Sequence, residues 1–171
     1  MKNGTIIVTS LRDAPIQLAQ HKAGHAIGIL GPDAEHPVFG ELPDANHLRL
    51  SFHDVAAITP GLSAPRSDDM AKLLQFLRQW NAESPLLIHC WAGISRSTAA
   101  GYIACCLLRP DDDEFELSQE LRAASPSATP NPLLVALADQ ALGRNGRMIK
   151  AIDGIGRGAN AFEGTPFKLV V

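Results

Sequence analysis

Apolar and polar positions along the chain alternate between two periods. Ile6-Ile7-Val8 is a short β-branched run, the pattern of a buried strand. Asp13 ahead of Ala14-Pro15 predicts a helix start, with the helix running to about Ala23 and ended by Gly24. His25–Leu30 reads as a second strand, residues 31–46 as a turn-rich loop, and His47–Phe52 as a third, alternating strand. A second loop over 55–66 leads to Ser67, a suitable N-cap, with Asp68 and Asp69 in the first turn that follows. Met70, Leu73, Leu74 and Leu77 then mark one buried helical face.

Pro85–His89 is apolar almost throughout, as in the middle of a parallel sheet. A tight turn separates it from a helix over Ser95–Arg109, and two more helices are expected over 114–124 and 132–142. Strands and helices alternate early and helices alone come later. The expected fold is therefore α/β: a central, mostly parallel sheet of four to five strands flanked by helices, with a helical C-terminal half. Residues 1–153 read as one domain. Residues 154–171 read as a Gly-rich tail whose apolar end, Phe167–Val171, is suited to packing on the domain or on a partner.

Composition narrows the class. Apolar residues make up 46% of 171, enough for a packed core rather than a disordered chain. A net charge of −3 argues against a nucleic-acid partner. The apolar run after Lys2 is too short for a signal peptide, and no window suits a membrane span. Three cysteines, two adjacent, do not suit a secreted disulfide framework, so a cytoplasmic location is expected. The six histidines offer no tight ligand spacing on one helix, since Gly24 interrupts His21 and His25; no metal and no cofactor are expected.

The chemistry concentrates in one stretch. His89-Cys90-Trp91-Ala92-Gly93-Ile94-Ser95-Arg96-Ser97 joins a buried strand to a helix through a tight loop. Such a loop gathers backbone N–H groups of residues 91–96 at a helix N-terminus and binds an anion, phosphate above all. Gly93 lets the chain bend, and Arg96 adds a planar fork for phosphate oxygens. Cys90 faces that site, where N–H dipoles and Arg96 favour a thiolate nucleophile. Ser97 is placed to donate to the sulfur when it leaves, and His89 to fix the loop without titrating. Trp91 is expected at the pocket floor or packed behind it. Cys105 lies about 12 Å along the helix from Ser97. That is beyond disulfide reach of Cys90, so Cys105 and Cys106 read as core residues.

The segment Leu87–Ser97 resembles the signature of the cysteine-dependent protein tyrosine phosphatase superfamily in its dual-specificity-like branch, and the whole chain resembles small bacterial tyrosine phosphatases. The resemblance implies a phosphomonoester hydrolase working through a phospho-cysteine. Its substrate would be a phosphorylated protein or a small phosphomonoester. It also implies a general-acid aspartate on a loop upstream of the cysteine. Asp54 stands where that loop is expected, with Asp68 and Asp69 as rivals. Pro130-Asn131 resembles a structural segment of that branch. No aromatic recognition loop is evident, so a shallow pocket of broad specificity is expected. Two other readings stay open: a rhodanese- or Cdc25-like loop enzyme, and a non-catalytic phosphate-binding module.

Overall fold

The computed structural model describes residues 3–171; the basic start at Lys2 lies outside the described residues. Five strands form one sheet: β1 (Thr5–Ser10), β2 (His25–Leu30), β3 (His47–Ser51), β4 (Leu86–Cys90) and β5 (Phe167–Val170). Their spatial order is β3-β2-β4-β1-β5. All neighbours are parallel except β5, which runs antiparallel to β1. Six α-helices accompany them: α1 (Ala14–His21), α2 (Ser67–Gln79), α3 (Arg96–Leu108), α4 (Glu114–Ala124), α5 (Pro132–Ala141) and α6 (Arg147–Ile155). None of these is long and apolar enough to cross a membrane, among the described residues.

The two faces of the sheet are covered unequally. Ile6, Val8, Leu86, Ile88 and Cys90 face the large core that includes residues of α2 to α6. The alternate positions Ile7 and Leu87 face a small cluster with Ala14, Ala26 and Phe39. This is the period-2 consequence of the pleat. β4 is buried along its whole length, so its C-terminal end, at Cys90, lies inside the molecule. Chain order reverses around β4, with β1 on one side and β2 on the other. Ligands of open α/β sheets bind at such a point, outside the carboxyl ends of the strands.

Several local expectations change. α1 stops at His21 because Lys22 adopts a left-handed conformation and caps it. Gly24 instead permits close packing, since a Cβ there would sit 2.1 Å from Ser84 Oγ. Arg66 rather than Ser67 caps α2, with its amide donating to Asp69 Oδ2 at 2.8 Å. Helix α6 lies in a region with no expected element. Its buried Met148, Ala151 and Ile152 keep helical spacing among polar neighbours. The Gly-rich C-terminal segment ends in β5, whose buried Phe167 and Leu169 alternate with exposed Lys168 and Val170.

Candidate active site

Residues 91–95 connect β4 to α3 as a loop held from outside. The carbonyl of Trp91 accepts from the Leu11 amide (3.1 Å), that of Ala92 from Gly164 (2.8 Å), that of Ile94 from Thr129 (2.9 Å) and that of Ser95 from Asn131 (3.2 Å). A peptide's N–H points opposite to its C=O. Tying these four carbonyls outward therefore turns the amides of Ala92, Gly93, Ser95 and Arg96 toward the loop's centre. The result is a set of convergent amides at the start of α3, an arrangement suited to an anion. Gly93 is required twice over. Its φ is +71°, and a Cβ there would lie 2.8 Å from the backbone at Thr9 and Ser10.

Cys90 ends β4 with only 3% of its surface exposed. Its Sγ lies 3.1 Å from Ser97 Oγ, donating as a thiol. The same separation suits donation from the hydroxyl once the sulfur is ionised. Arg96 is buried, and its Nη1 donates to the Phe52 carbonyl at 2.9 Å, which anchors the guanidinium against the strand that leads to Asp54. The Asp54 side chain is brought to the loop by two donors on Oδ1: Ser95 Oγ at 2.7 Å and Asn131 Nδ2 at 2.8 Å. Asp69, by contrast, is occupied at the start of α2, and Asp68 is exposed in the same turn.

His89 is fully buried, and burial lowers its pKa to about 4, so its ring is neutral near pH 7. Nδ1 lies 3.3 Å from the Cys90 carbonyl, which can only accept; that carbonyl therefore fixes the proton on Nδ1. Trp91 departs from expectation: neither at a pocket floor nor packed behind it, the side chain is 64% exposed at the rim. The reason is parity along the loop. Cys90 turns into the core, and the next side chain turns out. Cys105 and Cys106 are buried free thiols, and burial pushes both up to about 12, which keeps them protonated.

Asn131 plays a larger part than its structural reading suggested. One side-chain amide donates to Asp54 and to the Val55 carbonyl (3.0 Å), while its Oδ1 caps α5 by accepting from Leu134 N at 3.1 Å. Asn before Pro at a helix start is visible in the sequence as a cap, but its reach to Asp54 is not.

No family model matches the chain. Human dual specificity protein phosphatase 12 is 33% identical over 108 residues, which cover 60% of this chain and 29% of the human protein. The chain thus spans under a third of that curated relative's length. Two solved structures share the fold at 20% identity. The PTP-2 phosphatase of Cydia pomonella has a TM-score of 0.61, covering 82% of this chain and 90% of that one. Human DUSP28 has a TM-score of 0.60, with 82% and 89% covered. In fold the chain is thus similar to these phosphatases, and over 108 residues it is similar in sequence to a phosphatase of the dual-specificity type.

Proposed function

We propose that the protein hydrolyses phosphomonoesters of phosphorylated proteins or small molecules through a phospho-cysteine at Cys90. The observation that carries this reading is the loop itself. Its carbonyls are tied outward, a buried cysteine stands at its start, and Ser97, Arg96 and Asp54 are gathered around it. The amides of the loop and Arg96 hold the phosphoryl oxygens and stabilise the charge spread over them in the transition state. Sulfur of Cys90 attacks phosphorus in line; the S–P bond forms as the P–O bond breaks, and Asp54 gives its proton to the leaving oxygen. In the second step Asp54 takes a proton from water as that water attacks phosphorus. The S–P bond breaks, and Ser97 donates to the departing thiolate. Inorganic phosphate is released, and Cys90 and Asp54 return to their starting states. His89 supports the sequence by holding the Cys90 carbonyl.

The test is hydrolysis of p-nitrophenyl phosphate by the wild-type protein and by Cys90→Ser, with acid-quenched single turnovers to trap the phospho-enzyme. Loss of turnover and of trapped phosphate in Cys90→Ser is expected. Undiminished hydrolysis in that variant would overturn the mechanism. Thiosulfate-to-cyanide transfer by the wild-type protein would direct the reading to sulfur transfer instead.

A further inference from the structure

The four outward tethers of the loop between β4 and α3 fall into two pairs. Ile94 and Ser95 are held by Thr129 and Asn131, residues of one short stretch ahead of α5. Trp91 and Ala92, the half next to Cys90, are held by Leu11 and Gly164, from opposite ends of the chain. The chain itself does not fix the spacing of this second pair.

The residue before each of these tethers supplies the link. Ser10 precedes Leu11, Glu163 precedes Gly164, and Ser10 Oγ donates to Glu163 Oε1 at 2.5 Å across 153 positions. Ser10 is fully buried and is the β1 partner of Cys90 in the sheet. Its hydroxyl oxygen also accepts from the Asp13 amide at 3.2 Å, which ties it to the start of α1. The other oxygen of Glu163 lies 3.3 Å from Arg12 Nη2. A carboxylate acceptor makes the Ser10 bond charge-assisted, stronger than a neutral pair. The segment is also pressed against the loop, since a Cβ on Gly164 would lie 2.7 Å from the Gly93 carbonyl oxygen. A closed ring results. β1 and β4 pair at Ser10 and Cys90, β4 runs into the loop, Gly164 holds the loop, and Glu163 returns to Ser10.

We propose that Glu163 is a positioning residue of the active site: its bond to Ser10 sets the spacing of the two tethers and so aims the Gly93 amide at the phosphoryl group. The Gly93 amide shares a peptide plane with the Ala92 carbonyl, so whatever places Gly164 also directs that amide. Glu163 acts through Gly164 and needs no contact with substrate. A negative charge near an anion site opposes binding, so the useful part of the side chain is its acceptor oxygen. The proposal rests on the phosphatase reading above and makes the C-terminal segment part of its phosphate site.

The experiment measures affinity for inorganic phosphate by isothermal titration, and kcat/KM on p-nitrophenyl phosphate, below the melting temperature of each variant. Glu163→Ala should weaken phosphate binding about tenfold, the size of one well-aimed donor, with a matching fall in kcat/KM. Glu163→Gln keeps an acceptor for Ser10 and should bind phosphate within twofold of wild type or more tightly. Ser10→Ala should match Glu163→Ala, and the double variant should lose nothing further, because both changes break one link. A role in stability alone would lower Tm and leave the affinity of the folded protein unmoved. Affinity in Glu163→Ala within threefold of wild type overturns the proposal, as do failure of Glu163→Gln to rescue, losses that add in the double variant, or a wild type that binds no phosphate. Where Ser10→Ala does not fold, the Glu163 variants decide alone; where Glu163→Ala does not fold, Glu163→Asp, one methylene short of Ser10, takes its place. A wild type that binds phosphate without hydrolysing p-nitrophenyl phosphate overturns the phosphatase reading and leaves the positioning test standing. Cys90-dependent hydrolysis with unmoved affinity in Glu163→Ala overturns the positioning alone.

Discussion

Replacing Asn131 separates two tasks performed by one side chain. Asn131→Ala removes the cap on the Leu134 amide, worth about 1 kcal/mol, and leaves the Val55 carbonyl without its donor, worth about 1–3 kcal/mol. The sum, about 2–4 kcal/mol, lowers Tm by on the order of 10 °C for a chain of this size. The same change removes one of the two donors that hold Asp54. General acid–base catalysis contributes about 10²–10⁴-fold, and a loosened acid forfeits part of it, so kcat falls about 10–100-fold. The loss should be largest for phenyl phosphate, whose leaving oxygen needs its proton. It should be least for p-nitrophenyl phosphate, whose leaving group departs readily as an anion. Asn131→Asp sharpens the comparison. Its carboxylate still accepts from Leu134 and preserves the cap, but it places a second acceptor against Asp54 in place of a donor. The assay is a pair of thermal melts and kcat measurements across the two substrates. If Asn131→Ala lowers Tm but changes kcat equally little on both, Asn131 serves only as a helix cap and the positioning argument is refuted.

Gly93→Ala should abolish hydrolysis and weaken binding of inorganic phosphate, because the added methyl meets backbone at 2.8 Å and the residue must hold a positive φ; wild-type phosphate inhibition in this variant would contradict that. Glu114→Ala should destabilise the fold by about 3 kcal/mol, since Arg144 is left nearly buried without its partner. Arg147, more than half exposed, adds little to that loss, and a melting temperature unchanged within error would refute it. Stability should also depend on pH in a defined window. Burial holds His47 and His89 at about 4, below their ordinary value of 6.5. The unfolded chain therefore takes up protons on these rings that the folded chain refuses, so their contribution weakens as pH falls from about 6.5 to about 4. The urea midpoint should be lower at pH 5 than at pH 7, and a flat profile would contradict the burial argument.

The core of the site was legible because its chemistry is contiguous. A strand, a loop and a helix start supply Cys90, Gly93, Arg96 and Ser97 within one short segment, and local geometry alone brings them together. Asp54 was legible as a candidate because it follows a readable strand. What selects it over Asp68 and Asp69 in space is Ser95 and Asn131, the latter 77 positions away in sequence. Helix α6 carries little local signal because polar residues and Gly154 dilute its short apolar stripe, which only packing on α4 and α5 makes decisive.

The C-terminal segment marks the boundary between the two kinds of information. From composition, four glycines over residues 154–164 suggest freedom. In the folded molecule Gly158 and Gly164 instead permit approaches that no side chain would allow. Local sequence determined the four parallel strands, most helices and the loop between β4 and α3, since periodicity, capping and turn chemistry act over a few residues, whereas β5 lies in a segment read only as a Gly-rich tail. Tertiary structure alone decided which carbonyls of the loop are tied outward, which aspartate stands beside it, and that a Gly-rich end is fastened against it. Those outcomes depend on groups far apart in the chain meeting at hydrogen-bond distance, and no local pattern encodes them.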